Sequence, residues 1–126
     1  MEDKKNLGIW MDHSSAHLFD LKSEKNNKNI ASAFNFKTKE ETLNKSESGM
    51  HNKRQQLHEA FYVQIADEIL NYNHVLLFGP TNAKTELKNY LKQDLHFKDI
   101  EISTEPADKM TDNEKVAFVR EYFSKV

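Results

Sequence analysis

The sequence predicts an α/β domain built on a mixed five-stranded sheet with helices on both faces, in the order β-β-β-α-β-α-β-α. Three observations carry that expectation. Val75-Leu76-Leu77-Phe78 is an apolar run without polar alternation, the pattern of a strand covered on both sides. Gly79-Pro80 stops it, and Thr81 or Asn82 can cap a helix whose Ala83, Leu87, Tyr90 and Leu91 fall on one face. Before this strand-to-helix unit the short apolar segments are spaced like hairpins; after it, strand and helix patterns alternate.

Taken in order, Leu7 to Asp12 reads as a strand and Ala16 to Leu21 as its hairpin partner, with His13-Ser14-Ser15 as the turn. Lys22 to Lys28 is a polar turn. Asn29 to Phe36 alternates Ile30, Ser32, Phe34 and Phe36 against Ala31, Ala33 and Asn35, which fits an edge-like third strand. Lys37 to Met50 is polar and aperiodic, the composition of a functional or disordered loop. From about His51 to Tyr72, Leu57, Phe61, Ile65 and Ile69 recur at helical spacing, and Ala66 and Leu70 widen the stripe. This helix begins with positive side chains and ends with acids, against its own macrodipole. After the central unit, Asp99 to Ser103 reads as a short strand with Ile100 and Ile102 on one face. Thr111-Asp112-Asn113-Glu114 is a capping box ahead of a helix carrying Val116, Val119 and Phe123. Three antiparallel strands followed by alternating helix and strand require a central first strand with the later strands parallel to it. That connectivity resembles the ribonuclease H-like architecture.

Composition narrows the function classes. At 126 residues the chain is one domain with enough length for a hydrophobic core. It has no cysteine, which excludes disulfides and thiolate metal sites and makes a reducing cytoplasm the expected compartment. The charged start Met1 to Lys5, with no long apolar run after it, predicts neither a signal peptide nor a membrane span. With 18 Lys+Arg against 20 Asp+Glu, the net charge of −2 excludes a uniformly basic nucleic-acid coat but allows a local basic patch.

Four blocks occur in an order that resembles a known family. They are GIWMDHSSAHLF, the loop end SGM with the helix HNKRQQLHEAFYVQIADEI, LLFGPTNAKTELKNYL, and ADKMTDNEKVAFVREYF. The set is similar to the middle domain of archaeal and eukaryotic peptide-chain release factors and of Pelota. It is more similar still to the stand-alone bacterial members of that group, the translational machinery proteins. The resemblance spans most of the chain, leaving out roughly residues 22–46. It implies a ribosome or tRNA as partner and the loop before the long helix as the working surface. In release factors that loop carries Gly-Gly-Gln, whose glutamine positions water on the peptidyl-tRNA ester. Here the stretch reads Ser48-Gly49-Met50, and a thioether cannot orient water as a side-chain amide does. The expectation is therefore a non-catalytic translation-associated protein that needs no cofactor.

The residues themselves point to the same loop. Gly49 allows close approach of the backbone to a phosphate, Met50 follows it, and His51, Lys53 and Arg54 cluster within one helical turn. A second, weaker anion site is Thr81, Asn82 and Lys84 at a helix N-terminus. It is not a nucleotide-hydrolysing phosphate loop, because Lys84 comes one residue too early and follows Ala83 rather than glycine. Two readings from other classes stay open. One is a divalent-metal nuclease using Asp12, with Glu59 and Glu114 as the remaining carboxylates. The other is a protein-interaction module forming a homo-oligomer through the early strands. The six histidines form no ligand set: His13 and His17 flank a turn, and Tyr62 stands where His58-Glu59 would need a second histidine. Trp10 reads as packing on a sheet face.

Overall fold

The computed structural model describes residues 5–23, 27–31 and 60–125. Its five strands are β1 (Asn6–Met11), β2 (Ser15–Phe19), β3 (Lys28–Ala31), β4 (His74–Gly79) and β5 (Glu101–Pro106). They form one mixed open sheet in the order β3-β2-β1-β4-β5. β1 is central, antiparallel to β2 and parallel to β4, while β2–β3 is antiparallel and β4–β5 parallel. Helix α1 occupies residues 60–69, α2 spans Ala83–Lys92 and α3 spans Asp112–Ser124. A short 3-10 turn, Leu95–Phe97, lies between α2 and β5.

The two faces of the sheet are covered unequally. On the front, Leu7, Ile9, Met11, Val75 and Leu77 pack under α1 (Phe61, Ile65, Ile69) and α2 (Ala83, Leu87, Leu91). On the back, Trp10, Phe19, Leu76 and Phe78 pack with Val119 of α3, and Ala107, Met110, Phe118 and Phe123 pack against them. This division is why Val75 to Phe78 shows no alternation: its odd and even residues enter different cores, and all four are fully buried. Phe78 stacks on Phe118 at 4.6 Å between centroids and an interplanar angle of 8°. α3 starts as its sequence requires. Thr111 Oγ1 accepts the Glu114 N–H, and the Glu114 carboxylate accepts the Thr111 N–H. The Thr111 amide, through its backbone bond, holds the Glu114 carboxyl below the usual range.

Element boundaries differ from expectation, β2 for example ending at Phe19 rather than Leu21. α1 ends at residue 69, because Asn71 and Tyr72 N–H turn back three residues to Glu68 and Ile69, tightening the last turn before β4. β5 starts at Glu101 rather than Asp99 and runs on to Pro106. Ile100 N–H is held by Phe97 O in the preceding turn, and proline is accepted at the end of an edge strand. β3 is described to Ala31, and the expected continuation to Phe36 lies outside the described residues, as does α1 before residue 60.

Two glycines hold the layers at close range. A Cβ on Gly8 of β1 would overlap the Val119 side chain, so α3 sits directly on the strand's backbone. Gly79, at φ +153°, ends β4 where a Cβ would overlap the Met11 carbonyl. Gly8→Ala overpacks this contact, and Gly79→Ala adds backbone strain. Each should destabilise by about 1–3 kcal/mol. Urea titration followed by circular dichroism checks this, and an unchanged midpoint for either variant contradicts the packing described.

Candidate functional site

β1, β4 and β5 point their carboxyl ends the same way, and α2 and α3 begin just beyond that end. Open α/β sheets place ligands there, because loops and helix N-termini converge above the strands. The titratable groups at this end fall into two clusters separated by the sheet.

The hairpin turn after β1 is organised by Asp12. One carboxylate oxygen, Oδ1, accepts the N–H groups of Ser14 and Ser15 at 2.8 Å each, and Asp12 N–H donates to Ser15 O at 3.0 Å. Asp12 thereby does what an Asn-Gly pair does in other hairpins, by an Asx-type turn. His13 projects from this turn onto the front face, its Nε2 lying 2.8 Å from Glu86 Oε2 of α2. Tyr62 of α1 donates its hydroxyl to the same oxygen at 2.9 Å. Burial, reinforced by the Glu86 carboxylate, raises the Tyr62 phenol far above its ordinary range, so it acts as a fixed donor. The Tyr62–Glu86 contact also places residue 62 of α1 at the carboxyl end of the parallel strands.

The back-face cluster centres on Lys115 in the first turn of α3, 95% buried. Its Nζ lies 4.1 Å from the Trp10 ring centroid, 3.2 Å from His17 Nδ1 and 3.6 Å from Asp112 Oδ1. A buried ammonium requires such compensation, supplied here by an aromatic face, an imidazole nitrogen and one exposed carboxylate. Burial first, and the Lys115 charge second, lower the His17 pKa, leaving a neutral imidazole that accepts from the ammonium. The Trp10 indole Nε1 is buried without a hydrogen-bond partner among the described residues. His13 and His17, four apart in sequence, thus serve opposite faces of the sheet, and Trp10 is a packing residue as expected.

The turn from β4 to α2 directs its polar groups inward. Thr81 Oγ1 accepts the Ala83 N–H at 3.2 Å, and Asn82 is the N-cap residue without a side-chain cap bond. Lys84 Nζ donates to Thr81 O at 2.6 Å and to Gly79 O at 3.1 Å. Two of its three protons are therefore used on loop carbonyls, and the acid Glu86 stands in the same first helical turn. Gly49, Met50, His51, Lys53 and Arg54 lie outside the described residues, as does Glu59. Glu114 is engaged in its capping box, away from Asp12's role in the hairpin. Among the described residues no group of three His, Asp or Glu side chains is placed to hold a metal ion. No helix there is long and apolar enough to cross a membrane.

Lys115 and Glu86 were not singled out by sequence reasoning, and His13 and Tyr62 entered it only as residues that do not complete a metal motif. A signal existed for Lys115, which shares a helical face with Val119 and Tyr122 four and seven residues on. No protein-family model matches the chain, and no curated protein sequence matches it.

The His17 environment makes stability depend on pH. The unfolded chain binds the proton more readily than the folded one. The stabilisation is therefore complete above the ordinary value of 6.5 and is lost as pH falls below it through the folded value. Thermal melts from mildly alkaline to mildly acidic buffer should show a falling midpoint that His17→Gln makes shallower. An identical slope in both proteins would remove His17 as the cause.

Proposed function

We propose that this protein is a non-catalytic, translation-associated domain of the release-factor middle-domain type, with ribonuclease H-like topology. It binds the ribosome or tRNA through residues 45–54. The observation that carries this reading is the Tyr62–Glu86 contact. It brings Tyr62 of α1 to the carboxyl end of the sheet, where ligands of such sheets gather, and the basic residues His51, Lys53 and Arg54 lie a few residues upstream of it in the sequence. The strand order β3-β2-β1-β4-β5, with an antiparallel β2 and parallel β4 and β5, agrees with the topology that the four sequence blocks imply. Met50 in place of the release-factor glutamine accounts for a binding role without ester hydrolysis. The metal-nuclease alternative is less favoured, because Asp12 Oδ1 is committed to two turn amides and no group of three His, Asp or Glu side chains is placed to hold a metal among the described residues.

Phosphate contacts of this kind are salt-dependent and sequence-tolerant. Cosedimentation with ribosomes at two salt concentrations should show binding that weakens with salt. Lys53→Glu combined with Arg54→Glu should weaken it further and reduce the log–log salt slope by roughly two. Sedimentation unchanged by the double substitution would overturn the proposal.

A further inference from the structure

Away from the strand carboxyl ends, the 3-10 turn Leu95–Phe97 forms a ridge between two shallow grooves. Leu95 at its crest is 81% exposed, more than any other large apolar residue among those described. On one side is a groove of about 260 Å³ floored by Leu91, Phe97, Ile100 and Ile102 and edged by Lys88, Lys92 and Lys98. On the other is a groove of about 280 Å³ between α1 and α2, floored by Ala66, Leu91 and Phe97. Its apolar rim includes Val63 and Leu70, themselves 43% and 47% exposed, and its acids are Asp67 and Asp94. Asp94 belongs to both grooves. It caps the ridge through the His96 amide, a bond that holds its carboxyl below the ordinary range.

Asp94 pairs with His96 at 2.6 Å, and the other charges at the two rims are not neutralised locally. No ion pair involves Lys88, Lys92, Lys98 or Asp67 among the described residues, whereas Lys28–Glu68 and Lys125–Glu121 nearby in sequence or on other helices do pair. A surface with an apolar knob at its middle, three lysines on one side and the unpaired Asp67 on the other is complementary to itself after a half-turn. That is the requirement for an isologous interface, where each contact between two different residues occurs twice.

We infer that this surface is a homodimer interface whose occupant is a second copy of this chain, with Leu95 near the two-fold axis. The lysine-edged groove of one copy then faces the acid-edged groove of the other, twice. The apolar floors and Leu95 supply the desolvated centre, and the charges set the register. The early strands, considered above for self-association, are not part of it. The inference does not rest on the translation-associated role, and its test involves no RNA.

The test is sedimentation equilibrium of the full chain across a wide concentration range, with circular dichroism melts to establish that each variant folds. The unmodified chain should show a reversible monomer–dimer equilibrium, and Leu95→Asp should raise the dimer dissociation constant about tenfold or more. Lys92→Glu and Asp67→Lys should each weaken self-association. Each of the two charge-reversed proteins puts like charges against like, so the two mixed in equal amounts should form a heterodimer more tightly than either self-associates. A chain that stays monomeric at every concentration overturns the inference and assigns the surface to a different partner. A dimer indifferent to Leu95→Asp, or a mixture that gains nothing, overturns it as well.

Discussion

The parallel ladder between β1 and β4 joins the antiparallel half of the sheet to its parallel half, and the remaining structure depends on it. Five residue pairs, from Asn6 with His74 to Trp10 with Phe78, set its register. That register places Leu7 and Ile9 beside Val75 and Leu77 in the front core, and Trp10 beside Phe78 in the back core. A slip of one residue would exchange the faces, sending the indole under α1 and α2 and leaving Lys115 without its aromatic surface. The ladder also brings the two chain reversals at its end together. The Met11 carbonyl leaves room only for a glycine at position 79, so the Asp12 turn and the turn into α2 close against each other.

From this constraint the arrangement of polar groups follows. The His13–Glu86–Tyr62 contact needs the first hairpin, α1 and α2 to meet at one end of the sheet. The Lys115–His17–Trp10 contact needs the same hairpin on the opposite face. One hairpin therefore links both layers. Its histidines differ in consequence. His13 is 41% exposed and meets its carboxylate partly in water, where an ion pair contributes little. His17 is packed against a buried cation, where a proton changes the balance of the back core.

The parts of the fold legible in the sequence were those whose signal is local or periodic. Val75 to Phe78 is buried throughout because a continuous apolar run has no solvent face to offer. Thr111 and Glu114 cap α3 because the capping box is complete within four residues. β1 could be placed at the centre from the order of elements alone. β5 was displaced by two residues because Ile100 and Ile102 have the same spacing whether the first lies in a turn or a strand. The 3-10 turn at Leu95 carries no sequence mark beyond Asp94 as a cap. In the candidate site, Lys115 looked like any solvated helical lysine. Its burial depends on Trp10 and His17, separated from it by some hundred residues, and no window of sequence contains that information. Lys84 was legible as a residue at a helix start but not as one folded back onto Thr81 and Gly79, since that depends on the path of the turn.

The unequal covering of the sheet has a consequence for how the chain is made. The front core draws on residues up to Ile102, whereas the back core waits for Val119 and its neighbours on α3. During synthesis Trp10, Phe19, Leu76 and Phe78 therefore form, with the sheet, an apolar surface that α3 does not yet cover. It persists until residues 112–124 have emerged, and at ordinary elongation speeds that interval is on the order of seconds. A nascent chain with one finished face and one open face is an aggregation hazard and a substrate for chaperones. The edge strand β5, which carries Glu101 and Glu105 and ends in Pro106, limits edge-to-edge pairing with a neighbouring chain.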